Sequence, residues 1–177
     1  MRRKNIKEII RNYFFLNPNS KLRVREIEKE LEIPLPSVIR YAKELKSEGI
    51  LKIIKTGNVV FYSADKGTDE YIMEKKLFNI KSLYSSGCVE HLRIELSNPS
   101  IIVFGSYAKG EDIESSDIDL YVETASKKEL NVEKFEKILK RKIQIFKHKN
   151  IADVKNIHLA NNIINGVNLN GFVEVFR

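Results

Sequence analysis

Apolar residues recur at three- and four-residue steps along the first third of the chain, the spacing of helices with one face turned inward. Ile6, Ile9, Ile10, Tyr13 and Phe14 share one face of a helix predicted over 4–16, and the turn-forming NPNS at 17–20 ends it. A second helix is predicted at about 24–32. After Ile33-Pro34-Leu35, Pro36 opens a third, because proline's preset φ and missing N–H suit a first helical turn; Gly49 closes it. Two β-like runs, Leu51–Lys55 and Val59–Ser63, joined by Thr56-Gly57-Asn58, form a hairpin.

Residues 65–97 are charged, with Met73, Leu77, Ile80 and Tyr84 on one helix face. Two connecting helices are predicted there, broken near Ser85-Ser86-Gly87, their apolar face packing the sheet that follows or pairing two subunits. Ile101 to Phe104 form a short apolar run, and a second strand follows at SDIDLYV. Ser126-Lys127-Lys128-Glu129 matches a capping box, which predicts a helix from there to about Lys140 and a strand over Lys142–Phe146. A helix and a short strand close the chain, and the strand, helix, strand order favours an α/β layer.

The chemistry concentrates in residues 101–123, IIVFGSYAKGEDIESSDIDLYVE. Gly105 ends the apolar run, where the lack of a Cβ lets the chain turn sharply and a phosphate approach the backbone, and Ser106 adds its hydroxyl and amide. Asp117 and Asp119 alternate along a β-patterned segment, so both carboxylates emerge on one face while Ile118 and Leu120 point into the core. Such a pair suits Mg²⁺ (or Mn²⁺), a hard ion that takes one or two carboxylates and completes its shell with water and phosphate oxygens. Gly105 and Gly110 have Walker-type spacing, but Glu111 stands where that loop needs lysine.

Gly105-Ser106, ten residues, then Asp117-Ile118-Asp119, with Tyr107-Ala108-Lys109-Gly110 and Ser116, resembles the signature of the polymerase-β-type nucleotidyltransferase superfamily, particularly its minimal members. The resemblance implies that Asp117 and Asp119 are catalytic and hold metal, that Gly105, Ser106, Lys109 and Ser116 meet the nucleotide, and that NTP is the substrate. It also implies a possible small helical partner protein as acceptor, with this chain as its antitoxin. A β-hairpin with a glycine turn and solvated aspartates is the structural alternative. Such enzymes usually draw a third carboxylate from a later strand, and here that position falls on neutral Gln144. Glu123 shares a face with Asp119 but stands roughly 13 Å further along the strand. The missing carboxylate would cost a two-metal mechanism a ligand and the general base for the attacking hydroxyl.

Charge then separates the chain into modules. Residues 1–66 hold 15 Lys and Arg against 8 Asp and Glu, so all of the net charge of +7 sits there, as expected of a module facing a polyanion. Three helices and a hairpin in that order resemble a winged helix-turn-helix domain, with LPSVIRYAKELKSEGIL as recognition helix and wing entry. Val38, Ala42 and Leu45 form the apolar stripe of the third helix, which leaves Pro36, Ser37, Arg40 and Lys43 as candidates for double-stranded DNA, with Lys52 and Lys55 in the wing for phosphates. The alternative is a set of solvated charges on a domain used for dimerisation or protein docking. A homodimer is expected because winged domains commonly read two half-sites.

The predicted architecture is therefore α+β: a winged helix-turn-helix at 1–66, a helical connector at 67–97, and a small α/β nucleotidyltransferase-fold domain with a mixed sheet at 98–177. Its predicted function is Mg²⁺-dependent transfer of a nucleoside monophosphate from NTP to a hydroxyl acceptor, coupled to DNA binding. The competing expectation is a transcriptional regulator whose transferase fold only binds nucleotide or mediates dimerisation. At 42% hydrophobic, no run approaches the roughly 20 apolar residues of a membrane span, and MRRKNIKEIIRNYFFL lacks the cleavage site of a signal peptide. The single cysteine, Cys88, excludes an internal disulfide and suits a reducing cytoplasm in a buried apolar role. His91, His148 and His158 have no metal-ligand spacing.

Overall fold

The computed structural model describes residues 5–175, so Lys4 of the first predicted helix lies outside the described residues. The chain divides into two compact units, Met1–Phe78 and Asn79–Arg177.

In the first unit, Asn5 starts α1 (Ile6–Leu16) by accepting the Glu8 N–H on its side chain. Then come β1 (Lys21–Leu22), α2 (Val24–Leu31), α3 (Leu35–Ser47), β2 (Leu51–Thr56) and β3 (Val59–Ala64). Pro36 lies in the first turn of α3, and beyond its end the Ile50 N–H reaches back to the Leu45 carbonyl. The strands form an antiparallel sheet in the order β1-β3-β2. Sequence pattern did not reveal β1, since two residues show no period; its pairing of Lys21 with Ser63 and Leu22 with Tyr62 is a long-range event. Ile10, Phe14, Ile27, Val38, Ala42 and Leu45 are fully buried, and each large aliphatic or aromatic side chain so buried contributes roughly 1.5–3 kcal/mol.

The connecting helices are α4 (Asp69–Ser85) and α5 (Cys88–Glu95), broken where the sequence predicted. The inward face of α4 is another matter. Met73, Leu77 and Tyr84 are exposed, and of the predicted stripe only Ile80 packs against a core. The buried positions run Tyr71, Lys75, Asn79 and Leu83, four residues apart. Two of these are polar, so apolar periodicity pointed to the wrong face.

In the second unit α5 leads to β4 (Ser100–Phe104), the short helix α6 (Gly105–Lys109), β5 (Ile118–Glu123), α7 (Glu133–Leu139) and β6 (Ile143–His148). A 3-10 turn at Ile151–Asp153, α8 (Ile157–Ile164) and β7 (Val167–Asn170) complete it. The mixed sheet has the order β6-β5-β4-β7, with β5 and β6 parallel and the other pairs antiparallel. Because side chains alternate along each strand, the sheet has two cores. Ile101, Val103, Ile118, Leu120 and Val122 pack with Cys88, Leu92, Phe135 and Leu139 on one side. Ile102, Phe104 and Tyr121 pack with Ile151, Val154 and Ile163 on the other. Cys88 is buried, which pushes its thiol up to about 11.

The capping box at Ser126 does not start α7, which begins at Glu133. Ser126 Oγ accepts the Lys128 N–H locally, the Lys128 carbonyl accepts Lys147 Nζ at 2.7 Å, and Leu130 and Val132 pack against the core. These contacts hold 124–132 out of a helix, and Asn131 instead accepts the Glu133 N–H.

Candidate functional site

Antiparallel pairing sets Phe104 of β4 opposite Asp119 of β5, so the chain leaving β4 passes the Asp119 carboxylate. Gly105 makes that passage with φ +73°, and a Cβ there would come within 2.5 Å of Asp119 Oδ2. Glycine is required on both counts. Ser106 follows at the start of α6; Tyr107 and Ala108 are buried beneath it, and Lys109 is exposed at its far end.

Asp117, just before β5, is exposed; Asp119, within β5, is half-buried, and the intervening Ile118 is fully buried as expected. Burial first, and then the charge of Asp117, hold the Asp119 carboxyl above its usual range. An Asp119 carboxylate whose charge is disfavoured by burial and by its neighbour Asp117 is a donor that a divalent cation would relieve, and the two acids fit one such ion.

Gln144 lies directly opposite Asp119 on the parallel neighbour β6, so the position expected of a third carboxylate is neutral and exposed. Glu123 stands opposite Ser100, at the other end of β4 from Asp119, and accepts the Tyr121 hydroxyl at 3.2 Å. Among the described residues no group of three or more His, Cys, Asp or Glu side chains is placed to hold a metal ion. Ser116 closes a turn ahead of Asp117: its Oγ accepts the Ile113 N–H at 3.0 Å and its own N–H donates to the Ile113 carbonyl.

Sequence reasoning missed the polar network that supports this loop. Asp112 and Arg141 form an ion pair at 3.5 Å whose side chains are 1% and 4% exposed. Asn79 Nδ2 donates to Asp112 Oδ1 at 2.7 Å and to the Tyr107 carbonyl at 2.8 Å. The segment between α6 and Asp117 is thereby tied to the entry of β6. Nothing in the local pattern separates Asp112 from the polar loop around it, or Arg141 from the lysines on either side.

The sequence pattern likewise gives Lys142 no role beyond opening the strand predicted over Lys142–Phe146. Its carbonyl accepts the Ile118 N–H at 2.8 Å, which places it beside Asp117. Its Nζ pairs with Glu136 Oε2 at 3.0 Å, while Glu136 Oε1 accepts the Ile143 N–H at 2.9 Å. The ammonium is held above its usual range by Glu136 chiefly, with Glu133 and Asp117 adding to it.

Residues 88–165 match the family model of the nucleotidyltransferase domain. The matched region is less than half of the chain, and it contains Gly105, Ser106, both aspartates and Gln144. It supports nucleotide transfer as the general class of activity. No curated protein and no solved structure matches this chain. Among the described residues no helix is long and apolar enough to cross a membrane.

In the first unit, Pro36, Arg40 and Lys43 are exposed on α3 and Ser37 is half-buried, with the Val38, Ala42 and Leu45 stripe beneath. Lys52 and Lys55 are exposed on β2. Arg40 lies over the Tyr41 ring at 4.3 Å and 3.5 Å from Glu44, and Lys52 stands 3.6 Å from Asp65.

Proposed function

We propose that the region around Asp117 and Asp119 transfers a nucleoside monophosphate from NTP to a hydroxyl acceptor, and that residues 1–66 are a winged helix-turn-helix that binds double-stranded DNA, joined to the transferase domain at 98–177 through the helical segment 67–97. The acceptor oxygen forms a bond to the α-phosphorus, the bond from that phosphorus to the bridging oxygen breaks, and pyrophosphate leaves with the electron pair. With Gln144 unable to take a proton, the hydroxyl proton passes to solvent. A divalent ion, Mg²⁺ or Mn²⁺, bound at Asp117 and Asp119 supplies charge neutralisation to the triphosphate. Gly105 and Ser106 offer backbone amides and a hydroxyl to phosphate oxygens, with Lys109 at the far end of α6 and Ser116 in the turn ahead of Asp117 as further nucleotide contacts. The observation that carries this reading is the close approach of Gly105 to Asp119, a spacing in which any larger residue would displace the carboxylate.

A second reading, a regulator that binds nucleotide without transferring it, draws on Gln144 opposite Asp119. One assay separates the two. Label from an α-phosphate-labelled NTP is offered with Mg²⁺ or Mn²⁺ to the protein itself, to RNA and to co-purifying small helical proteins. Transfer by the wild type and not by Asp119→Ala is the expected result. NTP binding without transfer to any acceptor, together with activity gained by Gln144→Asp, would establish the second reading.

A further inference from the structure

We infer that the exposed face of α4 is an isologous interface, on which a second copy of this chain lays its own α4 antiparallel to the first. The inference goes beyond the nucleotidyltransferase and DNA-binding readings and depends on neither.

Two faces of α4 carry large side chains. Tyr71, Lys75, Asn79 and Leu83 are buried, while Met73, Leu77, Ile80 and Tyr84 run along another face. Met73 is 66% exposed, Leu77 56% and Tyr84 49%, and only the half-buried Ile80 packs against a core among the described residues. The Tyr84 hydroxyl donates to the Leu169 carbonyl at 2.7 Å, which holds the exposed ring in place. Steps of four, three and four residues are the spacing of a coiled-coil seam, with Met73 and Ile80 at d and Leu77 and Tyr84 at a. A row of this kind left in water is a contact surface rather than a scatter of single apolar residues.

The charges beside the seam choose the partner and its direction. Glu74 and Lys81 occupy the e positions, and Asp69 and Lys76 the g positions. Two parallel copies would set Asp69 against Glu74 and Lys76 against Lys81, a clash of like charges on both sides of the seam. Antiparallel copies place Met73 opposite Tyr84 and Leu77 opposite Ile80. Glu74 of one copy then meets Lys81 of the other, and the two-fold axis makes that attraction twice. Lys81 is exposed, and Glu74 remains 45% exposed beside Arg11, within reach of a second cation. The seam is short, because Glu70 holds the preceding a position and α4 ends at Ser85, so the dimer is a reversible one.

The test is sedimentation of the full-length protein, freed of nucleic acid, across the micromolar range. The wild type passes from monomer to dimer as concentration rises. Leu77→Asp weakens the dimer about a hundredfold, since both copies then bring a charge into the seam, and leaves the fold of the monomer intact because Leu77 is exposed. Lys81→Glu, which changes no described contact within the chain, weakens it about tenfold by setting like charges together. Oxidising a mixture of Met73→Cys and Tyr84→Cys chains links one variant to the other and neither to itself, because equal positions stand about 16 Å apart along an antiparallel pair. Cys88 is buried and takes no part. A monomer at every concentration overturns the inference and leaves this face to a different chain. A dimer indifferent to Leu77→Asp overturns it too, as does a dimer strengthened by Lys81→Glu or Met73→Cys chains that link to themselves, both of which mark a parallel pair.

Discussion

In Met1–Phe78, Arg40, Lys43, Lys52 and Lys55 stand exposed over an apolar core, whereas in Asn79–Arg177 the Asp112 and Arg141 pair is buried and Asp119 is half-buried against Gly105. Water solvates the first set whether or not the unit is folded, and its pairs, Arg40 with Glu44 and Lys52 with Asp65, lie at the surface, so those charges have little effect on folding. The second set has lost much of its water. Each member depends on a partner supplied by another element, and a change to one is felt by the others.

The strongest test of that contrast is Asp112→Ala. It leaves Arg141 buried opposite an empty place and destabilises the fold by roughly 3–5 kcal/mol, read as a fall in denaturation midpoint. Asp112→Asn combined with Arg141→Met recovers most of this, because it removes both buried charges and keeps the oxygen that accepts from Asn79. A double variant as unstable as the single one would mean that the pair does more than satisfy itself.

Gly105→Ala comes next. A residue with a Cβ at positive φ costs roughly 1–2 kcal/mol, and here it also pushes Asp119 aside, so loss of Mn²⁺ binding should exceed what the stability change alone explains. Unchanged Mn²⁺ binding would break the proposed coupling between the turn and the carboxylate.

Arg40→Ala with Lys43→Ala has a smaller effect on stability, within about 0.5 kcal/mol, yet should flatten the salt dependence of the proposed DNA binding by a slope of about two. Duplex affinity that does not change with salt would show that this face serves another partner.

The smallest effect concerns Asp119 itself. Its carboxyl sits above the usual range in the fold, so the unfolded chain gives up this proton first as pH rises. The charge is then a cost to the fold, fully present above the folded value and absent below the unfolded one. Asp119→Asn accordingly raises the melting temperature slightly at neutral pH and has no such effect near about pH 3, while abolishing Mn²⁺ binding. A fall in stability at neutral pH would mean that the ionised carboxylate is already favourably partnered.

Much of this protein was legible along the chain. The apolar stripes of α1 and α3 lie where the spacing put them, and so do the β2 and β3 hairpin and the break between α4 and α5. Gly105, the alternating aspartates and the neutral Gln144 could each be picked out before any fold was known, because an apolar period and a glycine ahead of a carboxylate pair are local facts. The start of α7 was not legible, since the capping box at Ser126 competes with Leu130 and Val132, whose burial depends on a core made elsewhere.

Sequence by itself determined the main helices, the hairpin and the chemical character of the site: two carboxylates, a glycine turn and an uncharged third position. Only the tertiary structure decided which face of α4 is buried, that Asp112 meets Arg141, and that Lys142 stands beside Asp117. The reason is physical. Apolar burial follows a period that the chain carries within itself, whereas a buried or paired charge is tolerated only when a distant element brings its partner, and no local pattern records that meeting.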